Sequence, residues 1–287
     1  MKFKRQFYVP IVAFATSLCW LPSGFAQSIL GAAGNFTVLG GTAVTSSGAI
    51  GTIITTGDVG SAAAVTGFPP GVVTGGAVVT IDSSVVDPAL ADLVKAAQGL
   101  TGMPSNADES SLDLGGMTLL PGVYTFTSTA TLDGALTLDA NFRNNVFWVF
   151  QIGSSFTTAA NSSVTLINPG SNDGSDDGIY WDTGSAITFG ANNRILGNYL
   201  ATTSITFDDG TTGSGRALAQ AGITLATTVL DSHGGPGNSD WTSGLRYNAM
   251  NNVVPVPEPA AFLWLVPLGV MGFVLSRRRL MVNPLVA

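Results

Sequence analysis

The chain has 287 residues but only one cysteine, Cys19, and one histidine, His233. Cys19 falls in an N-terminal stretch read below as a cleaved signal, so the body has no disulfide and must be held by its core and backbone ladders. A catalytic thiol and a Cys-based metal site are excluded with it. A Ser-His-Asp relay would need His233, which stands in Asp231-Ser232-His233-Gly234-Gly235-Pro236-Gly237-Asn238, a Gly-rich loop poorly suited to fixing a base. Charge is scarce too: 11 Lys and Arg stand against 18 Asp and Glu, for a net −7. Six of the bases sit in the two tails. Between them, 17 acids face only Lys95, Arg143, Arg194, Arg216 and Arg246, so the body is near −12. That balance excludes nucleic acid, which needs clustered Lys and Arg, and docking on anionic lipid.

Other chemistry is also missing. No phosphate-binding glycine loop is present, because Gly115-Gly116 lacks the Lys and the helix of a P-loop. Asp208-Asp209 are sequence neighbours that point to opposite sides of a strand, which does not suit a glycosidase pair. Asn172-Asp173-Gly174-Ser175-Asp176-Asp177-Gly178 is rich in oxygen ligands but does not keep the spacing of a known calcium loop, so it is read as a solvated turn. We therefore expect no enzyme, cofactor or metal.

The ends have their own patterns. Lys2, Lys4 and Arg5 precede an apolar run from Phe7 to Leu21 and a small-residue site ending in Phe25-Ala26-Gln27, the order of parts in a secretory signal spanning 1–26. Signal peptidase is the expected partner there. At the other end, 251–287, Pro257-Glu258-Pro259 precedes an apolar stretch, 260–275, and then Arg277-Arg278-Arg279. The stretch is slightly short of the roughly 20 apolar residues of an upright membrane helix. The arginines would hold its end at the cytoplasmic headgroups. This order resembles the PEP-CTERM sorting tail of Gram-negative bacteria. The resemblance implies an exosortase-type partner, membrane contact only through this helix before processing, and a secreted or cell-surface body. A plain C-terminal anchor is the alternative.

What is abundant in the body, 27–250, is Thr, Ser, Gly, Ala and Val, arranged as short strands between Gly, Asn and Asp. The recurring unit is apolar-Thr-apolar: Leu136-Thr137-Leu138, Ile187-Thr188-Phe189, Ile205-Thr206-Phe207 and Ile223-Thr224-Leu225. Period-two alternation turns the apolar pair inward and Thr outward. The last three units recur every 18 residues, a fitting length for one coil of a β-solenoid. A hairpin-built β-sandwich is disfavoured because few Asn-Gly or Asp-Gly turns separate matched strands. One segment is helical, about 88–100: Asp87 fits the N-cap, Pro88 the first position, and Leu90, Leu93, Val94 and Ala97 form an apolar stripe. It is expected to lie along one solenoid face, with Gly99 or Gly102 ending it.

Longer segments carry a further likeness. Ile29-Leu30-Gly31-Ala32-Ala33-Gly34-Asn35-Phe36-Thr37-Val38-Leu39 begins the body. Leu114-Gly115-Gly116-Met117-Thr118-Leu119-Leu120-Pro121-Gly122-Val123-Tyr124, Val146-Phe147-Trp148-Val149-Phe150-Gln151-Ile152-Gly153, Gly197-Asn198-Tyr199-Leu200-Ala201 and Gly215-Arg216-Ala217-Leu218-Ala219 follow. In this order, over roughly 29–231, the chain resembles the microbial ice-binding protein family. The resemblance implies an irregular right-handed β-solenoid with one long side helix, and adsorption to ice through a flat face of small residues. Some members show Thr-Ala/Gly-x-Thr/Asn on that face. Thr158-Ala159-Ala160-Asn161 fits, while Phe189-Gly190-Ala191-Asn192 and Phe207-Asp208-Asp209-Gly210 depart from it. The candidate ice-binding residues are thus Thr158, Ala159, Asn161, Gly190, Asn192 and Thr211, with ice crystal surfaces as partner.

Ice presents a lattice of water oxygens and no net charge, so a binder needs flatness, regular spacing and weakly hydrated side chains. Stacked strands repeat about every 4.7–4.9 Å. Thr adds a methyl and a hydroxyl on a stiff χ1. The competing reading is a surface or matrix adhesion protein on the same scaffold. A polysaccharide-cleaving solenoid enzyme would need acids gathered in one groove across coils.

Overall fold

Alternating Ile, Val, Leu and Phe give each strand of the body an inward row, and the strands stack in parallel rather than folding back as hairpins. The computed structural model describes residues 28–48, 51–110, 112–235 and 239–256. The expected signal, the Pro257-Glu258-Pro259 triplet, the 260–275 stretch and Arg277 to Arg279 lie outside the described residues. Among the described residues no helix is long and apolar enough to cross a membrane.

Three ladders of parallel strands run the length of the body, and each turn of the chain adds a strand to each. The first contains Ala107–Asp108, Gly122–Phe126, Phe147–Ile152, Gly178–Thr183, the second halves of Arg194–Ala201 and Thr212–Ala219, then Phe36–Gly40, Asp58–Ser61 and Val78–Thr80. The second contains Ala130–Leu132, Phe156–Thr158, Ile187–Phe189, Ile205–Phe207, Gly222–Ala226, Ala43–Ser47 and Ala64–Thr66. The third contains Thr118–Leu119, Ala135–Asp139, Ser163–Ile167, the first halves of the two long strands, Val229–Asp231, Ile53–Ile54 and Val72–Val73.

Spatial neighbours are not always chain neighbours. The N-terminal coils, 36–80, stack on the coil formed by 212–231, through Val38 beside Ala217, Thr45 beside Thr224 and Ile53 beside Val229. The chain therefore begins near one end of the stack, and the helix carries it back to the other end, where Ala107–Asp108 starts the remaining coils.

That helix spans Ser83–Thr101, a turn longer at its start than the sequence pattern suggests. The cap is Asp82, whose carboxylate accepts from the Ser84 N–H, and not Asp87. Pro88 lies inside the helix rather than at its first position. The donor it lacks would have met the carbonyl of Ser84, which is exposed and free to bond water. Val86 extends the buried stripe, now Val86, Ala89, Leu93, Ala96 and Leu100, and Gly102 ends it. This stripe packs on Leu39, Val123, Val149, Tyr180, Leu200 and Leu218 of the first ladder.

Inside the coils an aromatic column replaces the missing disulfides. Phe150 and Trp181 stack at 3.8 Å, Trp181 and Tyr199 at 5.4 Å, and Phe189 and Phe207 at 4.6 Å. Each such pair adds about 0.5–1.5 kcal/mol beyond its burial. The body also runs past residue 250. Leu245–Tyr247 and Val253–Pro255 form an antiparallel pair, and Val253 reaches so close to Gly99 that a β-carbon there would stand 2.4 Å from it. Arg216, 3% exposed, ties the ends together: it donates to the carbonyls of Gly34 and Asp240 and to Asn198 Oδ1, and pairs with the Asp240 carboxylate at 3.7 Å.

Candidate functional site

Each strand of the second ladder is short, and in all but Ala64–Thr66, where the last residue faces out, an outward residue stands between two that point in. Phe156 and Thr158 flank Thr157, Ile187 and Phe189 flank Thr188, Ile205 and Phe207 flank Thr206, and Ile223 and Leu225 flank Thr224. The stacking puts these outward residues in one row: Thr131, Thr157, Thr188, Thr206, Thr224, Thr45 and Thr66 are successive register partners. Seven strands thus contribute seven threonines, and six spacings of about 4.7–4.8 Å make a row roughly 28 Å long. All are exposed except Thr45, which is half-buried and takes a 3.2 Å hydrogen bond from the Thr66 hydroxyl.

The rows beside the threonines are small. On the N-terminal side of each strand stand Thr129, Ser155, Ala186, Ser204, Gly222, Ala43 and Ala64, so nothing there overhangs the threonines. On the other side come Ala159, Gly190, Ala226 and Ser47, with Asp133 and Asp208 as the charged exceptions. Asp113 closes one end: it bridges in parallel to Thr131 and accepts its hydroxyl at 2.5 Å. Burial raises the Asp113 pKa, but hydrogen bonds from Thr131 and the N–H groups of Asp133 and Gly115 outweigh it and hold the carboxyl below its usual range.

The other faces offer nothing comparable. The first lies under the helix. On the third, one outward row reads Ala135, Ser163, Arg194, Thr212, Val229, Ile53 and Val72, a mixture of charge, hydroxyl and exposed apolar groups, and the row beside it runs out of threonine at Leu196, Ser214 and Asp231. Thr137 belongs here, beside Thr118 and Thr165, and not with the other apolar-Thr-apolar units.

The residues singled out from the family motif are scattered by this geometry. Thr158 is 4% exposed, pointing inward beside Phe156, and its hydroxyl oxygen accepts from the Gly190 N–H at 3.0 Å and from the Asn193 amide. Thr211 is fully buried and donates to the Gly190 carbonyl at 3.2 Å. Both serve the corner joining the second and third ladders, where Ser162, Asn193, Thr211 and Thr228 form a buried polar column. Asn161 and Asn192 are exposed at that corner in the left-handed conformation, φ 63° and 58°, which Asn tolerates better than most residues. Only Ala159 and Gly190 border the threonine row. The motif reads as the signature of a corner: an inward hydroxyl, small residues and a left-handed Asn. The repeating outward Thr was the better signal, and the sequence showed three of the seven.

Catalytic geometry does not assemble around His233. Ser232 Oγ lies 3.1 Å from its Nδ1, but the Asp231 carboxylate accepts from the His233 backbone N–H and from the Thr56 hydroxyl, not from the ring. A cleft of about 720 Å³ between the helix and the first ladder is lined by Gln98, Thr101, Gln151 and Asp182. Burial pushes Asp182 up to about 6, against the lowering effect of the Thr101 hydroxyl bonded at 2.6 Å. Gln151 donates from the same cleft to the carbonyls of Leu100 and Met103, closing the helix C-terminus.

Comparison with known proteins gives one family. Residues 38–231 match the family model described as ice-binding-like. The chain is 36% identical over 283 residues to an ice-binding protein of Nostoc sp. (strain HG1), covering 97% of each. Among solved structures it is similar to the ice-binding protein of the Antarctic ascomycete Antarctomyces psychrotrophicus, with TM-score 0.64 and 33% identity over 71% of this chain and 97% of that one. An ice-binding protein from an Antarctic biological consortium matches with TM-score 0.64 and 32% identity, covering 72% and 91%.

Proposed function

Since the chain belongs to the ice-binding-like family, we propose that it is an ice-binding protein that adsorbs to crystals through the threonine row of its seven-stranded face. It is not an enzyme. The observation that carries the choice of face is the in-register row from Thr131 to Thr66. Each threonine offers a methyl that sheds ordered water and a hydroxyl that joins a water lattice. The β-branched side chain is stiff at χ1, so little freedom is lost on adsorption. Parallel stacking sets the repeat, and the small flanking residues let the row meet a flat surface. Water held between the hydroxyls carries such an interface nearly as well as direct hydrogen bonds. The winding is read as right-handed, the hand that parallel crossovers take.

The surroundings of the row favour it over its neighbours. The third face carries Arg194 and Asp231, which hold hydration shells of their own, and the helix covers the first face. Ala159 and Gly190 belong to the border of the site, with Asn161 and Asn192 at its corner.

Export completes the reading. The segments 1–26 and 257–279 support removal by signal peptidase, sorting by an exosortase-type enzyme and a secreted or cell-surface body, with membrane contact confined to the 260–275 stretch before processing. The mass of the mature protein recovered outside the cell tests this. Ice binding is tested by a recrystallisation assay: micromolar protein is expected to arrest crystal coarsening, and normal coarsening would leave the scaffold an adhesion or matrix role.

A further inference from the structure

Two excursions of the solenoid, 140–146 and 168–177, lie on one another. The Phe142 N–H donates to the Asn168 carbonyl at 2.8 Å, Asn168 Nδ2 to Asp139 Oδ1 at 3.0 Å, Asn144 Nδ2 to Ser171 Oγ at 3.0 Å, and the Val146 N–H to Asp177 Oδ1 at 3.1 Å. A third segment closes over them: Ser239 Oγ donates to the Gly174 carbonyl at 2.9 Å, and Gly178 bridges to Thr242.

Among the described residues five buried side-chain oxygens have no hydrogen-bond partner, and three of them lie in these two excursions: Asn144 Oδ1, Asp176 Oδ1 and Asp177 Oδ2. The other two are threonine hydroxyls, which can turn and donate; the amide oxygen, and each carboxylate once ionised, can only accept. Asp177 is completely buried. Its free Oδ2 faces the interior of its own loop, 3.5 Å from where a β-carbon on Gly174 would stand. The second oxygen of Asp176 is held by Asn172 Nδ2 at 2.9 Å. Among the described residues the one salt bridge joins Arg216 and Asp240, so neither Lys nor Arg neutralises this pair of acids. A buried carboxylate without a counter-charge is costly, and burial above all raises Asp177 to about 7, so a proton holds the place that a cation would take.

An acceptor-only group of this kind calls for a cation. Its donors are all hard oxygens, with no imidazole or thiolate, which suits calcium and not zinc or copper. Only two of the three side chains are acids, and no group of three His, Cys, Asp or Glu gathers among the described residues. We propose that Asp176, Asp177 and Asn144 bind a calcium ion, with water completing its shell, and that the ion pins the two excursions together. The proposal is independent of the ice face and stands or falls without it.

The test uses the full chain, stripped with chelator and then titrated with calcium chloride. Calorimetry is expected to show saturable binding of about one ion per chain, in roughly the 0.1–1 mM range of extracellular sites. The unfolding temperature should rise by several degrees with calcium, and far less with magnesium at the same concentration. Asp177→Asn should abolish both effects, while Asp208→Asn, a distant exposed acid, should leave them intact. Should Asp177→Asn not fold, Asp176→Asn and Asn144→Ala carry the comparison. Absence of saturable heat in the wild type, equal stabilisation by magnesium, or full binding by the loop variants would overturn the proposal.

Discussion

The seven-stranded face and the third face are built by the same alternation, from coils of the same stack, around the same core. On one, the outward position reads Thr131, Thr157, Thr188, Thr206, Thr224, Thr45 and Thr66. On the other, one outward row reads Ala135, Ser163, Arg194, Thr212, Val229, Ile53 and Val72, and the row beside it opens with Thr118, Thr137 and Thr165 but breaks at Leu196, Ser214 and Asp231. Folding requires only that the inward partners be apolar. Strand propensity alone is met as well by Val and Ile as by Thr, as the third face shows. Seven threonines in one row are therefore more than folding requires, and that excess is what the proposed adsorbing surface rests on.

Bulk placed on each face in turn gives the largest contrast. Thr206→Tyr, at the middle of the row, is expected to lower ice-growth inhibition at least tenfold, a loss of about 1.4 kcal/mol or more in adsorption. Thr165→Tyr on the third face should leave it unchanged. Both sites are exposed, so urea unfolding should show stability within about 0.5 kcal/mol of wild type for each. Equal loss of activity from both would erase the contrast.

A second substitution separates scaffold from surface. Arg216→Ala leaves Asp240 without its charge partner and frees the Gly34 and Asn198 acceptors. It should cost about 3–5 kcal/mol of unfolding free energy in a denaturant titration. Measured cold, where the variant remains folded, its ice activity should match wild type, because no threonine of the row touches Arg216.

Among the described carboxyls the largest shifts lie off both outward faces, at Asp182 and Asp177, which burial raises to about 6 and about 7. In the folded protein Asp182 keeps its proton up to about pH 6, against 3.8 for an ordinary Asp. Its contribution to stability is therefore complete below pH 3.8 and is lost as pH rises through 6, by an amount on the order of 3 kcal/mol. Asp182→Asn should remove this share of the fall and leave the share that Asp177 contributes up to about pH 7. A wild-type contribution that grew with pH in this window would contradict the burial argument.

The smallest effect distinguishes the parts of threonine. Thr188→Val keeps the methyl and the stiff χ1 and replaces the hydroxyl by a second methyl, while Thr188→Ser keeps the hydroxyl and loses the methyl and the stiffness. Ice-growth assays should show a modest loss for Val and a larger, severalfold loss for Ser. The reverse order would mean that the hydroxyl dominates.

Much of the fold was legible. The alternation at Ile187-Thr188-Phe189 and its repeats at 205 and 223 gave the coil length and the outward Thr, because stacked coils impose a period that a sequence can display. The stacking of 36–80 on 212–231 left no local trace, since pairing between distant segments is decided by the whole core. The helix start was misplaced because Pro88 looks like a first-turn residue, and only the packing of Val86 shows that the helix begins earlier. The site was half legible. Thr188, Thr206 and Thr224 share one spacing, but Thr131, Thr157, Thr45 and Thr66 reach the row through corners of unequal length. Thr158 was misleading for a simple reason: in Phe156–Thr158 it is the middle residue that faces out.

The central claim is that ice meets the seven-stranded face, and fluorescently labelled protein on a single ice crystal tests it most directly. Wild type and Thr165→Tyr are expected to be taken up on the same crystal planes, and Thr206→Tyr to be excluded from the crystal. Uptake of Thr206→Tyr at the wild-type level, with loss of Thr165→Tyr, would place the adsorbing surface on the other face.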